Sequence, residues 1–201
     1  MLVMTLIFST LFRRSIEHYP VYYLCAYILL NFNNVATSQA LGCLTANGDL
    51  LRKIHVPAYL FCLSTVAVNG FTLVLSLAPL LVVALFSGLP LTPWLLLVPF
   101  PLLYVLLFTT GLSLLLSTVG VFFRDMTYLY GIITTVWTYL TPMFYPLSIV
   151  PERFRFLWEL NPLYHYVEIL RDLVLYQVMP ASRTLLIATG YSLVFLRLGA
   201  W

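Results

Sequence analysis

The 201 residues of this chain are 62% hydrophobic and only 8% charged, with a formal net charge of +3 and a mean hydropathy of +0.97. Soluble domains carry charge on about a quarter of their residues, so a water-soluble globular fold is excluded. The few cations stand in ones and twos and form no patch that would neutralise nucleic-acid phosphates.

The apolar run from Met1 to Phe12 precedes Arg13 and Arg14, the reverse of a cleavable leader's order, and it is shorter than the roughly 20 residues a span needs. The second span lies within Tyr19 to Ala46. It is uncharged and ends at Asn47-Gly48-Asp49, with Arg52 and Lys53 just beyond. From Ile54 to Phe123 there is no Asp, Glu, Lys or Arg, and only Ser87-Gly88-Leu89-Pro90-Leu91-Thr92-Pro93 breaks the run, which predicts a transmembrane hairpin. Its arms are the third span, from Pro57 to about Phe86, and the fourth, from Trp94 to Phe123 with kinks at Pro99 and Pro101. Arg124-Asp125 closes it. A fifth span occupies about Met126 to Tyr145, and a sixth starts near Thr184. The fold expected is an all-α membrane protein of about six spans, with residues 1–201 forming one transmembrane domain. Cys25, Cys43 and Cys62 all lie in apolar segments, where a thiol behaves as a small hydrophobe.

Between the last two spans, Pro146 to Pro180 reads as an amphipathic pair of short helices. In the first, Glu152, Arg155 and Glu159 share a face opposite Phe154, Leu157 and Trp158. Asn161-Pro162 restarts the chain, Asn as a favoured cap and Pro at the first helical position. The second helix, to about Val178, sets Tyr166, Val167, Leu170 and Val174 on one side and Glu168, Arg171 and Asp172 on another. Its charges are expected to keep the pair from full burial, at the interface or dipping into it.

Four stretches in order, NGDLLRKIHVP after the second span, VFFRDMTYLYG after the fourth, TPMFYPLSIVP ending the fifth and ELNPLYHYVEILRD before the sixth, resemble the permease subunit of type-2 ABC exporters. Within that family they are most similar to the branch that exports polysaccharides and polyol phosphates such as O-antigen, capsule or teichoic acid. The resemblance covers essentially the whole chain. It implies a multi-pass protein of a bacterial cytoplasmic membrane, a homodimer with a channel along its interface, a lipid-linked polymer as substrate, and a separate ABC ATPase docking from the cytoplasm. Compared with the family, the chain is expected to lack the amphipathic helix before the first span and the short basic tail after the sixth. The implied topology puts Arg52, Lys53, Arg124 and Arg197 inside and Arg13, Arg14, Arg153, Arg155, Arg171 and Arg183 outside, against a simple positive-inside count.

The only lysine is Lys53, and no Gly-rich run precedes it, so the chain has no phosphate-binding loop and ATP is assigned to the partner ATPase, with no cofactor of its own. A rigid element joining two spans can turn a partner's closure into helix tilting. Asn47, Asp49, Arg52, Lys53 and Pro57 are the candidate ATPase-coupling loop, and Arg124 with Asp125 a second cytoplasmic contact. Tyr130, Thr134, Trp137, Thr141 and Phe144 recur at helical spacing. Rings beside hydroxyls suit a sugar polymer, so they are the candidate channel lining, with ordinary helix packing as the alternative. The resemblance sets the amphipathic hairpin at the outer mouth, with Asn161, Pro162, Glu168 and Arg171 as its gate. His18, His55 and His165 share no ligand spacing, so no metal site is expected, and no catalytic constellation stands out. The alternatives are a type-2 drug or lipid exporter, a membrane-embedded glycan-processing enzyme and a non-catalytic scaffold. The enzyme would need paired carboxylates or a basic diphosphate site in its loops.

Overall fold

The computed structural model describes residues 18–53, 56–90, 92–123, 125–145 and 152–200 and, within them, all side chains but those at 49, 50, 52, 154 and 155. Every regular element among the described residues is helical. α1 (Tyr19–Ala46) ends where Asn47 turns its backbone N–H and its side-chain amide onto the Cys43 carbonyl, at 3.3 and 2.7 Å. A six-residue helix, α2 (Gly48–Lys53), follows. The third span is two helices, α3 (Tyr59–Leu75) and α4 (Leu77–Phe86). Pro79 lacks an N–H, and its ring crowds the carbonyl four residues back, that of Leu75, where α3 stops.

The fourth span opens with a 3₁₀ turn, Pro93–Leu97, and continues as α5 (Pro99–Phe122). Pro99 and Pro101 therefore begin the helix instead of kinking it: in the first turn a missing N–H leaves no bond unmade. α6 (Met126–Leu140) is shorter than the sequence suggests, because Pro142 disfavours helical geometry at Thr141, which is extended at φ −86°, ψ 126°. The remaining helices are α7 (Arg155–Glu159), α8 (Pro162–Arg171), continued by a π turn over Asp172–Tyr176, and α9 (Ser182–Ala200).

α1 sits at the centre, packed by α5, α3, α8 and α6, while α9 lies against α5. Glycine sets that last approach. A Cβ on Gly111 would meet the Phe195 carbonyl, and one on Gly199 would meet the Gly111 carbonyl, so only small residues let the two backbones come this close. The core is built around Phe108, whose ring contacts Phe195 at 4.8 Å, Tyr166 at 5.8 Å and Trp137 at 6.1 Å between centroids.

The expectation that its charges keep the hairpin's second helix from burying is overturned. Leu163, Tyr166, Val167, Ile169 and Leu170 are 0 to 1% exposed, and Arg171 is only 6% exposed. The physical reason is that the guanidinium finds uncharged partners. It donates to the Tyr22 carbonyl through Nε and one Nη at 3.3 and 3.2 Å, donates to the Pro142 carbonyl at 2.8 Å, and lies 3.4 Å over the Tyr22 ring. Carbonyl dipoles and a ring face replace the water the cation gives up.

Two helical stretches, Tyr59–Phe86 and Pro93–Phe122, are long and apolar enough to cross a bilayer. The outer faces of α3, α4 and α9 are mostly aliphatic and aromatic, with Val68, Phe71, Leu85, Phe86, Leu193 and Leu198 exposed, although Ser64 and Thr72 on α3 and Arg183 and Arg197 on α9 are exposed as well. The outer face of α1 is different in kind.

Candidate functional site

Tyr27, Asn31, Asn34, Ser38 and Thr45 follow one another at intervals of four, three, four and seven residues, so they lie on one face of α1. That face is open to the outside of the molecule: Tyr27, Asn31, Ser38 and Thr45 are exposed, and Asn34 is half-buried. At the helical rise it runs about 27 Å, close to the roughly 30 Å of a bilayer's hydrocarbon core.

α6 lies antiparallel beside it and adds a matching row of Thr127, Gly131, Thr134 and Thr138. Asn34 Nδ2 donates to Thr138 Oγ1 at 3.0 Å. Eleven residues further along α1, and eleven back along α6, Thr45 and Thr127 meet again in the wall of a cavity of about 800 Å³ that Gly42, Gly120, Asp125 and Tyr128 also line. The two polar rows thus meet at Asn34–Thr138 and again at the cavity, and the strip they outline is a polar groove.

Its hydrogen-bonding capacity is specific. The hydroxyls of Thr134, Thr138 and Thr45 donate to carbonyls of their own helices, at Gly131, Thr134 and Gly42 respectively. Each oxygen keeps lone pairs that face outward as acceptors. Asn34 Oδ1 is buried and faces away from the groove, while the amide of Asn31 and hydroxyl of Ser38, both exposed, make no bond among the described residues. The groove therefore offers both donors and acceptors, all uncharged. Of the residues singled out from the sequence, Thr134 belongs to it. The α1 face carried the same kind of periodic signal and was masked by the apolar residues between.

The other members of the α6 stripe turn into the protomer. Tyr130 is 3% exposed and packs with Leu41 and Leu116. Trp137 donates its indole N–H to Asn161, Thr141 is fully buried, and the Phe144 ring packs on Tyr23 at 5.6 Å. The outward apolar face of α6 is instead Ile132, Ile133, Val136 and Tyr139.

The hairpin corner has the local geometry its sequence predicts. Asn161 is extended at φ −85°, ψ 113°, and its side chain accepts from the Leu163 N–H at 3.1 Å, capping α8 with Pro162 at the first position. Glu168 accepts from the Tyr164 hydroxyl at 3.1 Å. In this segment, outside the spans, burial and then the charge of Glu168 push the Asp172 carboxyl up to about 6.

At the opposite end, Lys53 and Pro57 are exposed, while the side chains of Asp49 and Arg52 lie outside the described residues, as does Arg124. Asp125 is exposed at the start of α6, in the wall of the same cavity as Thr45. The α1 end and the α5–α6 junction therefore share one end of the molecule. Among the described residues no group of three His, Cys, Asp or Glu is placed to hold a metal ion.

Comparison with known proteins bears on this arrangement. Residues 1–175 match the family model described as ABC-2 type transporter. The O-antigen export system permease protein RfbA of Myxococcus xanthus is 27% identical over 198 residues, spanning 98% of this chain and 76% of the relative. Two permease proteins of the same name from Klebsiella pneumoniae are 27% identical over 169 residues, covering 83% of this chain and 65% of the relative, and 24% identical over 194 residues, covering 96% and 75%. Because the family match takes in both walls of the groove, the short helix after α1 and the whole of α8, the chain is an integral membrane protein that belongs to the ABC-2 type transporter family.

Proposed function

We propose that this chain is the membrane-spanning permease subunit of an exporter that moves a lipid-linked polysaccharide across a bacterial cytoplasmic membrane, driven by a separate ABC ATPase. The observation that carries this reading is the uncharged polar groove on α1 and α6. An amide or hydroxyl turned toward lipid is expensive, and polar side chains at membrane depth face either a partner or a water-filled path. A groove of about a bilayer's length, lined by amide and hydroxyl groups, suits a chain of sugars whose hydroxyls exchange hydrogen bonds along the way. The substrate class agrees with the names of the three relatives.

The remaining parts follow from that arrangement. Of the about six spans expected, five are α1, α3 with α4, the 3₁₀ turn with α5, α6, and α9. An open groove is half a channel, and a second copy completes it, with the apolar face of Ile132, Ile133 and Val136 on α6 as a contact between copies. Thr134 lines the path, while Tyr130, Trp137, Thr141 and Phe144 brace it from behind. The ATPase docks on Asn47 to Pro57, with α2 as the rigid piece that transmits its closure, and Arg124-Asp125 makes a second contact at the same end. The hairpin gates the outer mouth about the Asn161-Pro162 corner.

The test is solvent access. With Cys25, Cys43 and Cys62 replaced by Ala, single cysteines at Asn31, Asn34, Ser38 and Thr45 are expected to react with a membrane-impermeant thiol reagent, and cysteines at the lipid-facing Val68 and Leu193 are not. Labelling confined to the lipid-facing pair would refute the groove as the path.

A further inference from the structure

Neither α1 nor α6 contains a single Asp, Glu, Lys or Arg from Tyr19 to Ala46 or from Met126 to Leu140. Both walls of the groove therefore carry no formal charge along the two helices, up to Asp125 in the cavity at the inner end. What they present is amide and hydroxyl: Asn31, Asn34, Ser38 and Thr45 on one side, Thr127 and Thr138 on the other.

The cations whose side chains are described lie off α1 and α6, Arg153 being exposed in the turn Glu152–Phe154. Arg171 is buried against the carbonyls of Tyr22 and Pro142, and Arg183 pairs with Glu159 at 3.5 Å on the surface. Arg197 sits on α9, and Lys53 on α2 beyond the groove's end. The ionisable group described in the cavity at the inner end is an acid, Asp125. Its sequence neighbour Arg124 lies outside the described residues.

A path for a polyanion needs the opposite. Each phosphodiester or uronate that leaves bulk water for a narrow low-dielectric passage loses hydration worth several kcal/mol, which pores and sites for anions offset with Arg or Lys aimed into the passage. Asn, Ser and Thr supply hydrogen bonds and no compensating charge.

Resting on the groove as the transport path, we infer that the polymer carried here is uncharged along its backbone. It is a neutral glycan, as opposed to a polyol-phosphate or uronic-acid chain. Hydroxyls of such a chain meet the amide of Asn31, the hydroxyl of Ser38 and the acceptor oxygens of the threonines, and no cation on α1 or α6 offsets the hydration an anion would lose.

The local potential in the groove tests this directly and needs no knowledge of the substrate. In the background with its three cysteines replaced by Ala, Ser38→Cys in the full chain in proteoliposomes is reacted with two methanethiosulfonates of similar size, one bearing a sulfonate and one a trimethylammonium. The rate ratio is compared with that of a small free thiol. The expected result is a sulfonate-to-ammonium ratio within about threefold of the free thiol, or lower. Adding Asn34→Lys to the same chain should raise that ratio at least fivefold, since a cation one helical turn away concentrates the anionic reagent. Enrichment of the sulfonate by tenfold or more without the lysine would mean a cationic path and overturn the inference while leaving the groove as the path. Failure of both reagents to label Ser38→Cys would overturn the groove itself and this inference with it.

Discussion

Trp137 and Asn161 are tied by a 2.8 Å hydrogen bond from the indole Nε1 to the amide Oδ1, which joins the last turn of α6 to the corner of the hairpin. The same oxygen accepts from the Leu163 N–H at 3.1 Å, and the amide nitrogen donates to Thr141 Oγ1 at 2.8 Å. One side chain, 3% exposed, thus caps α8 and binds both the last turn of α6 and the residue that ends it. Any swing of the hairpin has to break these bonds, so the corner is a latch before it is a hinge.

Replacing Asn161 with Ala removes the cap and strands the indole N–H in the interior. A lost cap costs about 1 kcal/mol and a stranded buried donor about 1 to 3, so destabilisation of about 2 to 3 kcal/mol is expected. Thermal unfolding of the purified protein in detergent should show a clear fall in Tm, with Asn161→Asp intermediate because it keeps both acceptor roles. Equal stability of the Ala variant and the parent would mean that the latch carries no energy.

The contact between α5 and α9 depends on a missing side chain. Gly111→Ala drives its Cβ into the Phe195 carbonyl, and backbone gives way poorly, so the two helices must separate. Overpacking of this kind costs about 1 to 3 kcal/mol. Gly131→Ala on α6 meets nothing within 4 Å and removes a weak helix former, which should stabilise by about 0.5 to 1 kcal/mol. Tm values ranked Gly131→Ala above the parent above Gly111→Ala are the expected outcome, and the reverse order would contradict the packing.

Asp172 makes the hairpin sensitive to acid in an unusual sense. Its carboxyl titrates at about 6 in the folded protein, against about 3.9 in an unfolded chain, so the native state binds the proton more tightly. Stability from this group is present below about pH 4 and is lost as pH rises toward 6, levelling off above. Asp172→Asn should match the parent near pH 4 and exceed it at pH 7.5 in Tm. A difference that does not change with pH would show that the carboxyl feels no burial.

The proposed coupling loop is tested by Asp49→Ala with Arg52→Ala, made together in the full chain with the ATPase proposed to dock on it. Membrane insertion and assembly are expected to persist while ATP hydrolysis no longer drives export, read as ATPase activity retained with polymer transport reduced by tenfold or more. Unchanged transport in the double variant would remove the loop from the coupling path.

What the amino-acid sequence determined by itself is local and covalent. The uncharged stretches, the break at Asn47 and the cap at Asn161 all depend on a few neighbouring residues, through charge cost and side-chain capping. The tertiary structure decided which face of each helix turns inward, and in a membrane protein periodicity does not answer that, because lipid and core are both apolar. Tyr130, Trp137 and Phe144 share a face by spacing, yet only the positions of α1, α5 and α8 bury it. Arg171 looked like a charge that must stay wet. It is buried because Tyr22 and Pro142, distant in sequence, bring two carbonyls and a ring to meet it. The polar row on α1 was written in the sequence, but its openness was not, since only packing on its other sides leaves that face uncovered.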